Sequence, residues 1–169
     1  MLTRRQFSAA GASLTLALGM GANRTPAAAA SSEKAFEVTK TDAEWKQILT
    51  PEQYYVLRQH GTERSGTSPL DKTYEPGTYH CAGCDQPLFT SETKYDSGTG
   101  WPSFYAPIEG AIGTSTDYKL IYPRTEVHCS RCGGHLGHVF NDGPQPTGKR
   151  YCMNGVAMTF VPKTERSGS

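Results

Sequence analysis

Beyond residue 30 no apolar run approaches the ~20 residues that span a bilayer, so stable membrane insertion is not expected. A basic excess is also missing. Lys and Arg number 17 against 16 Asp and Glu, and setting residues 1–30 aside removes Arg4, Arg5 and Arg24, leaving 14 against 16, a net of −2. That is not the electrostatic footprint of a nucleic-acid-binding protein. No segment keeps a helical period after residue 60, which excludes an all-helical domain. Cysteine is scarce, with five in 169 residues.

The first thirty residues have the layout of a secretory signal. Thr3-Arg4-Arg5-Gln6-Phe7 is a twin-arginine start, a weakly apolar run extends from Ala9 to Ala22, and Ala27-Ala28-Ala29-Ala30 offers small residues for cleavage. The run is too short and too glycine-rich for a membrane anchor. We expect export by the twin-arginine route to a bacterial periplasm. A protein exported already folded can carry a metal loaded where thiols stay reduced. The expected organisation is a signal peptide over 1–30, a flexible lead-in over 31–40, one catalytic domain over 41–163 and a flexible tail over 164–169. Nothing suggests an obligate oligomer, so a monomer is expected.

Thr41-Asp42-Ala43-Glu44 has capping-box spacing, and Trp45, Ile48 and Leu49 fall on one face of the short helix it opens. Thr50-Pro51-Glu52-Gln53 repeats the signal for a second helix reaching about Arg58, and Gly61 ends the helical part. From 61 to 162 frequent Gly and Pro separate short apolar runs, the texture of a small antiparallel β-domain. Strands are predicted at Thr78–Ala82, Pro87–Thr90, Ser103–Pro107, Tyr118–Tyr122, Glu126–Ser130, His135–Asn141 and Tyr151–Val161.

Four cysteines form two C-x-x-C pairs, Cys81/Cys84 and Cys129/Cys132, separated by 44 residues. Each sits at the turn of a strand–turn–strand unit, with a leucine (Leu88, Leu136) four residues past the second thiol and Gly83 or Gly133 letting the chain fold closely. Two such knuckles suit one structural Zn2+ bound by four thiolates. A rubredoxin-like iron has the same spacing, and two strained disulfides are the remaining reading. His80 and His128 are spare ligands by proximity or ordinary strand residues.

One thiol remains. Along a strand Arg150, Cys152 and Asn154 share a face, and an arginine there would favour thiolate. The plainer reading is a buried core thiol. His135 and His138 lie just past the second knuckle; either is a candidate general acid, although a spacing of three shares a strand face only if the chain bends. Trp101, in the turn Ser97-Gly98-Thr99-Gly100-Trp101, could line a small apolar pocket with an N–H to offer, or be core.

Lys94–Phe104 (KYDSGTGWPSF), the two C-x-x-C pairs, HLGHVFNDGP at 135–144 and RYCMNG at 150–155 resemble the methionine-R-sulfoxide reductase B family over about residues 42–162. The resemblance implies a mainly β fold of two antiparallel sheets, of β-tent type, with short N-terminal helices and a structural zinc. It implies that Cys152 is the nucleophile, His138 the acid, His135 and Asn154 supporting groups, and Arg150 a tuner of the thiol. Trp101 would pack on the substrate methyl group and Phe140 would help close the pocket. The substrate would be the R epimer of methionine sulfoxide in proteins or peptides, and the product methionine, with Cys152 left as sulfenic acid. Some family members carry a resolving cysteine where this chain has Thr99. Reduction by an external thiol, such as a thioredoxin-like protein, is therefore expected. A zinc-stabilised β-tent binding module without catalysis, and an iron electron carrier, are the competing readings.

Overall fold

The computed structural model describes residues 36–120 and 122–164. The expected signal segment, residues 31–35 of the lead-in and the tail from 165 lie outside them. Helices α1 (Asp42–Ile48) and α2 (Pro51–Gln59) start at the two expected capping boxes. Thr41 Oγ1 accepts from the Glu44 N–H at 3.3 Å while the Glu44 carboxylate accepts from the Thr41 N–H at 2.7 Å; Thr50 and Gln53 repeat the exchange at 3.2 and 3.0 Å. The second helix ends one residue before the expected glycine, at His60, whose φ of 54° is left-handed. Trp45 and Leu49 are buried, but Ile48 is 54% exposed. The chain turns extended at Leu49, which swings that side chain inward and leaves Ile48 on the outer face.

Nine strands follow among the described residues: β1 (Gly77–Cys81), β2 (Pro87–Thr90), β3 (Lys94–Tyr95), β4 (Ser103–Phe104), β5 (Ile112–Asp117), β6 (Arg124–Cys129), β7 (His135–Phe140), β8 (Arg150–Met153) and β9 (Met158–Pro162). They form a three-stranded sheet, β2-β1-β9, and a six-stranded sheet, β3-β4-β8-β7-β6-β5, with all neighbours antiparallel. The expected two-sheet architecture is present.

The single predicted strand Tyr151–Val161 is two strands in different sheets. A 3-10 turn at Gly155–Ala157 carries the chain between them. Gly155 marks the corner, because a Cβ there would run into the Ser68 side chain. Tyr118–Tyr122 is not a strand. The residues before it, the polar Ile112–Asp117, pair instead, while Tyr118, Leu120 and Tyr122 are 76%, 47% and 65% exposed. Ser103–Pro107 shrinks to two paired residues, and Lys94–Tyr95 is too short to signal itself.

The core joins the sheets through aromatics. Phe89 of the smaller sheet stacks on Phe104 of the larger at 4.3 Å, and Tyr79 meets Phe104 edge-on at 4.9 Å. Trp45 and Leu57 lie within van der Waals reach of Gly83 in the first knuckle, and the Leu57 side chain also reaches Gly134 beside the second. Residues 36–40, half of the expected flexible lead-in, run along that second knuckle: the Val38 N–H donates to Arg131 O at 3.0 Å, and the Phe36 ring meets His128 edge-on. Among the described residues no helix is long and apolar enough to cross a membrane.

Candidate active site and metal centre

The two C-x-x-C turns have the same backbone. Cys81 O accepts from the Asp85 N–H and Cys129 O from the Gly133 N–H, both at 2.9 Å; Gln86 O and Gly134 O accept from the N–H of Cys81 and Cys129. The left-handed position follows the second cysteine, at Asp85 (φ 59°) and Gly133 (φ 69°), so Gly83 does not play the turn role expected of it. The four thiols converge across the knuckles. Cys81 and Cys132 Sγ are 3.7 Å apart, Cys84 and Cys129 Sγ 3.5 Å, and all four lie within 4.8 Å of one another. Tetrahedral zinc with Zn–S bonds of about 2.3 Å separates its sulfurs by about 3.8 Å, so the donor set fits structural zinc. The closest approaches run between the pairs, and all five cysteines are free, so the disulfide reading fails. His80 turns to Asp85 and His128 to Phe36, outside the thiol cluster.

Cys152 sits in β8 between two neighbours in register, Ser103 of β4 and His138 of β7. The row continues through Glu126 on β6 to Ser115 on β5. Residues directly opposite in an antiparallel sheet present their side chains on one face, so the register alone sets an imidazole beside the thiol. Gly137 permits the approach of the two strands: a Cβ there would lie 2.2 Å from Cys152 O and 3.0 Å from Met153 Cα. A cavity of ≈ 120 Å3 opens at the thiol, lined by Thr62, Trp101, Arg124, His138, Phe140 and Asn154 among others.

Burial pushes the Cys152 thiol above its ordinary value; contacts with Thr99, Arg150 and Ser103 pull it down by less. Arg150 was expected to favour thiolate, and its pull is in that direction but smaller than the effect of burial. The guanidinium is committed elsewhere, donating to both Asp142 oxygens at 2.8 and 2.9 Å and lying 4.4 Å from the Phe140 ring centre. Thr99 Oγ1 is 3.8 Å from the sulfur and belongs to a hydroxyl chain through Ser97 to Ser103.

The two histidines share a face because β7 carries a bulge. Val127 pairs with Gly137 but His128 pairs with His135, so Leu136 is skipped and His135 turns to the side of His138. Their rings are 5.3 Å apart. Each is tied to an acid from a neighbouring strand: His138 Nε2 donates to Asp117 Oδ2 at 2.7 Å, and His135 Nδ1 donates to Glu126 Oε1 at 2.6 Å. Burial lowers the His138 pKa, opposed by Asp117. Hydrogen bonds from His135 and Ser115 hold the Glu126 carboxyl at about 2 despite its burial. Of the two imidazoles only His138 lines the Cys152 cavity; His135 lines a neighbouring one.

Asn154 and Trp101 border the cavity, but their polar atoms are already used. Asn154 Oδ1 accepts from the Glu63 N–H and its Nδ2 donates to Leu136 O, both at 2.9 Å; Trp101 Nε1 donates to Glu63 O at 3.2 Å. The indole N–H expected for a ligand is thus taken by the chain, and Asn154 stands just past the end of β8. Sequence reasoning missed Glu63, Asp117, Glu126, Arg124, Thr62 and His60. Glu63 accepts from the N–H groups of Gly155 and Val156 at 2.6 and 2.9 Å, and Arg124 donates to Asp117 at 2.7 Å. None lies in the motifs around the thiol. The alternation of Glu126 with buried Val127 was the one local hint.

The SelR domain model matches residues 49–162. The peptide methionine sulfoxide reductase MsrB of Agrobacterium fabrum is 55% identical over 127 residues, covering 75% of this chain and 94% of that protein. The MsrB of Leptospira interrogans is 56% identical over 126 residues, 74% of this chain and 96% of its own. The chloroplastic peptide methionine sulfoxide reductase B1 of Arabidopsis thaliana is 54% identical over 128 residues, 75% of this chain and 63% of that protein.

Proposed function

The chain belongs to the MsrB family of peptide methionine sulfoxide reductases and reduces methionine sulfoxide; we propose that it does so through the Cys152 thiol, on the R epimer held in oxidised polypeptides. The observation that carries the reading is the register of β7 and β8, which sets His138 directly opposite Cys152 at the mouth of one small cavity. Family membership displaces the binding-module and electron-carrier readings, and the four-cysteine zinc is structural.

At neutral pH the thiol keeps its proton and His138 is neutral, in keeping with burial raising the one and lowering the other. With Nε2 given to Asp117, Nδ1 of His138 is the nitrogen left to take the thiol proton and return it to the sulfoxide oxygen. The net step breaks the S–O bond of the substrate and forms one on Cys152. The substrate sulfur gains two electrons and leaves as the thioether; the cysteine sulfur loses two and becomes sulfenic acid. Trp101 and Phe140 line the cavity and offer apolar surface to the methyl group, which favours one arrangement of methyl and oxygen about the sulfur. No thiol among the described residues is free to resolve the sulfenic acid, because the other four cysteines serve the zinc and Thr99 stands nearest. Two equivalents of an external thiol, as a thioredoxin-like protein supplies, return Cys152 to thiol and release water. Arg4-Arg5 and the run that follows support export by the twin-arginine route to the periplasm.

The test is turnover of separated R and S sulfoxide epimers of a short methionine peptide with dithiothreitol. R-only turnover that vanishes in Cys152→Ser is expected. Turnover surviving that substitution, or preference for S, would contradict the assignment.

A further inference from the structure

We propose that His60, Glu126 and His135 form a binding site for a divalent transition-metal cation, separate from the four-cysteine zinc centre. Three elements bring the donors together: the left-handed end of α2, β6 and the bulged start of β7. Nδ1 of His60 and Nδ1 of His135 lie 2.7 and 2.6 Å from one atom, Glu126 Oε1, and the three donor atoms are all within 4.8 Å of one another. They face a cavity of ≈ 210 Å3 whose other walls are Thr116, Asp117, Tyr118 and Lys119.

Two imidazoles and a carboxylate suit zinc, cobalt, nickel or copper rather than magnesium or calcium, which take oxygen ligands. In the metal-free arrangement two N–H groups point at the same oxygen, so protons occupy the space between the donors. A cation about 2.0–2.2 Å from each would replace them, with the donors spreading by roughly half an ångström and the ring protons moving to Nε2. The outer support for such a centre exists. Ser115 Oγ donates to Glu126 Oε2 at 2.5 Å, turning Oε1 toward the histidines. His135 is 2% exposed, and its Nε2 has no hydrogen-bond partner among the described residues, so the ring is anchored through Nδ1 alone, the atom a cation would take. His60 is the exposed donor, with its side chain 49% exposed, and gives the cation a way in from solvent. Lys119, on the cavity wall, has its Nζ turned to His60 O at 3.1 Å.

Cation binding does not depend on the reductase reading. Its consequence for turnover does: His135, 5.3 Å from His138, would be locked and the reaction slowed. The test therefore reads binding first. Zinc-loaded Cys152→Ser protein is titrated with Co2+ and followed by its visible absorption. One further Co2+ per chain is expected, with ligand-field bands and no sulfur-to-metal charge transfer. His60→Gly, which suits the left-handed backbone, should weaken it by at least about tenfold while leaving thermal unfolding unchanged. Glu126→Gln should weaken it by a similar factor. Absence of a second Co2+, bands of sulfur character only, or equal affinity in both variants would overturn the proposal.

Discussion

At the scale of single residues, the thiol is set by a contest that burial wins. Cys152 lies above the ordinary cysteine value, with Arg150, Thr99 and Ser103 working against the burial. Replacing Arg150 by Met removes one of these opposing influences, so the rate of Cys152 alkylation should begin its rise at higher pH in the variant than in the wild type. The Asp142 partner weakens the arginine's influence, so an Asp142→Asn variant should shift the rise the other way. An unchanged profile in both would mean that the guanidinium does not reach the sulfur. The candidate thiol was legible in the sequence, because subtracting two C-x-x-C pairs leaves one cysteine. Its neighbours Asp117, Arg124 and Glu63 were not. They reach the site from other elements, and each reads locally as an ordinary surface charge.

At the scale of elements, chemistry is carried by register. The row Ser103–Cys152–His138–Glu126–Ser115 crosses five strands, and the β7 bulge adds His135 to the same face. At Gly137 any side chain would run into β8, with a Cβ 2.2 Å from Cys152 O. Gly137→Ala should force them apart, costing about 1–3 kcal/mol in stability and, by displacing His138 from Cys152, about 100-fold in kcat/KM. A variant that loses stability but keeps full activity would show that the strand spacing is not what sets the thiol–imidazole geometry. Both helices were legible because their capping boxes are local signals. The strands were legible only in part. Alternation from Tyr151 to Val161 ran unbroken across a corner between sheets, while exposed aromatics at Tyr118 and Tyr122 imitated a strand that the polar β5 provides instead.

At the scale of the whole molecule, zinc is a clamp between sheets. Cys81 ends β1 of the smaller sheet and Cys129 ends β6 of the larger, so the two knuckles tie the sheets together alongside the aromatic core. The binding free energy of a four-thiolate zinc is of order 10 kcal/mol, comparable to the whole stability of a domain this size. Stripping the metal with a strong chelator under reducing conditions should therefore abolish cooperative unfolding and activity together. A metal-free protein that still unfolds in one sharp transition would limit zinc to a local role.

In the proposed reaction Cys152 takes the oxygen and keeps it until an outside thiol arrives. Mixing zinc-loaded protein with one equivalent of an R-sulfoxide peptide, without reductant, and adding a dicarbonyl that traps sulfenic acids tests this directly. Mass spectrometry should find one methionine peptide formed per chain, one adduct on Cys152 and the zinc still bound. A disulfide joining Cys152 to Cys81, Cys84, Cys129 or Cys132 with release of the metal, or methionine formed with Cys152 unmodified, would contradict it.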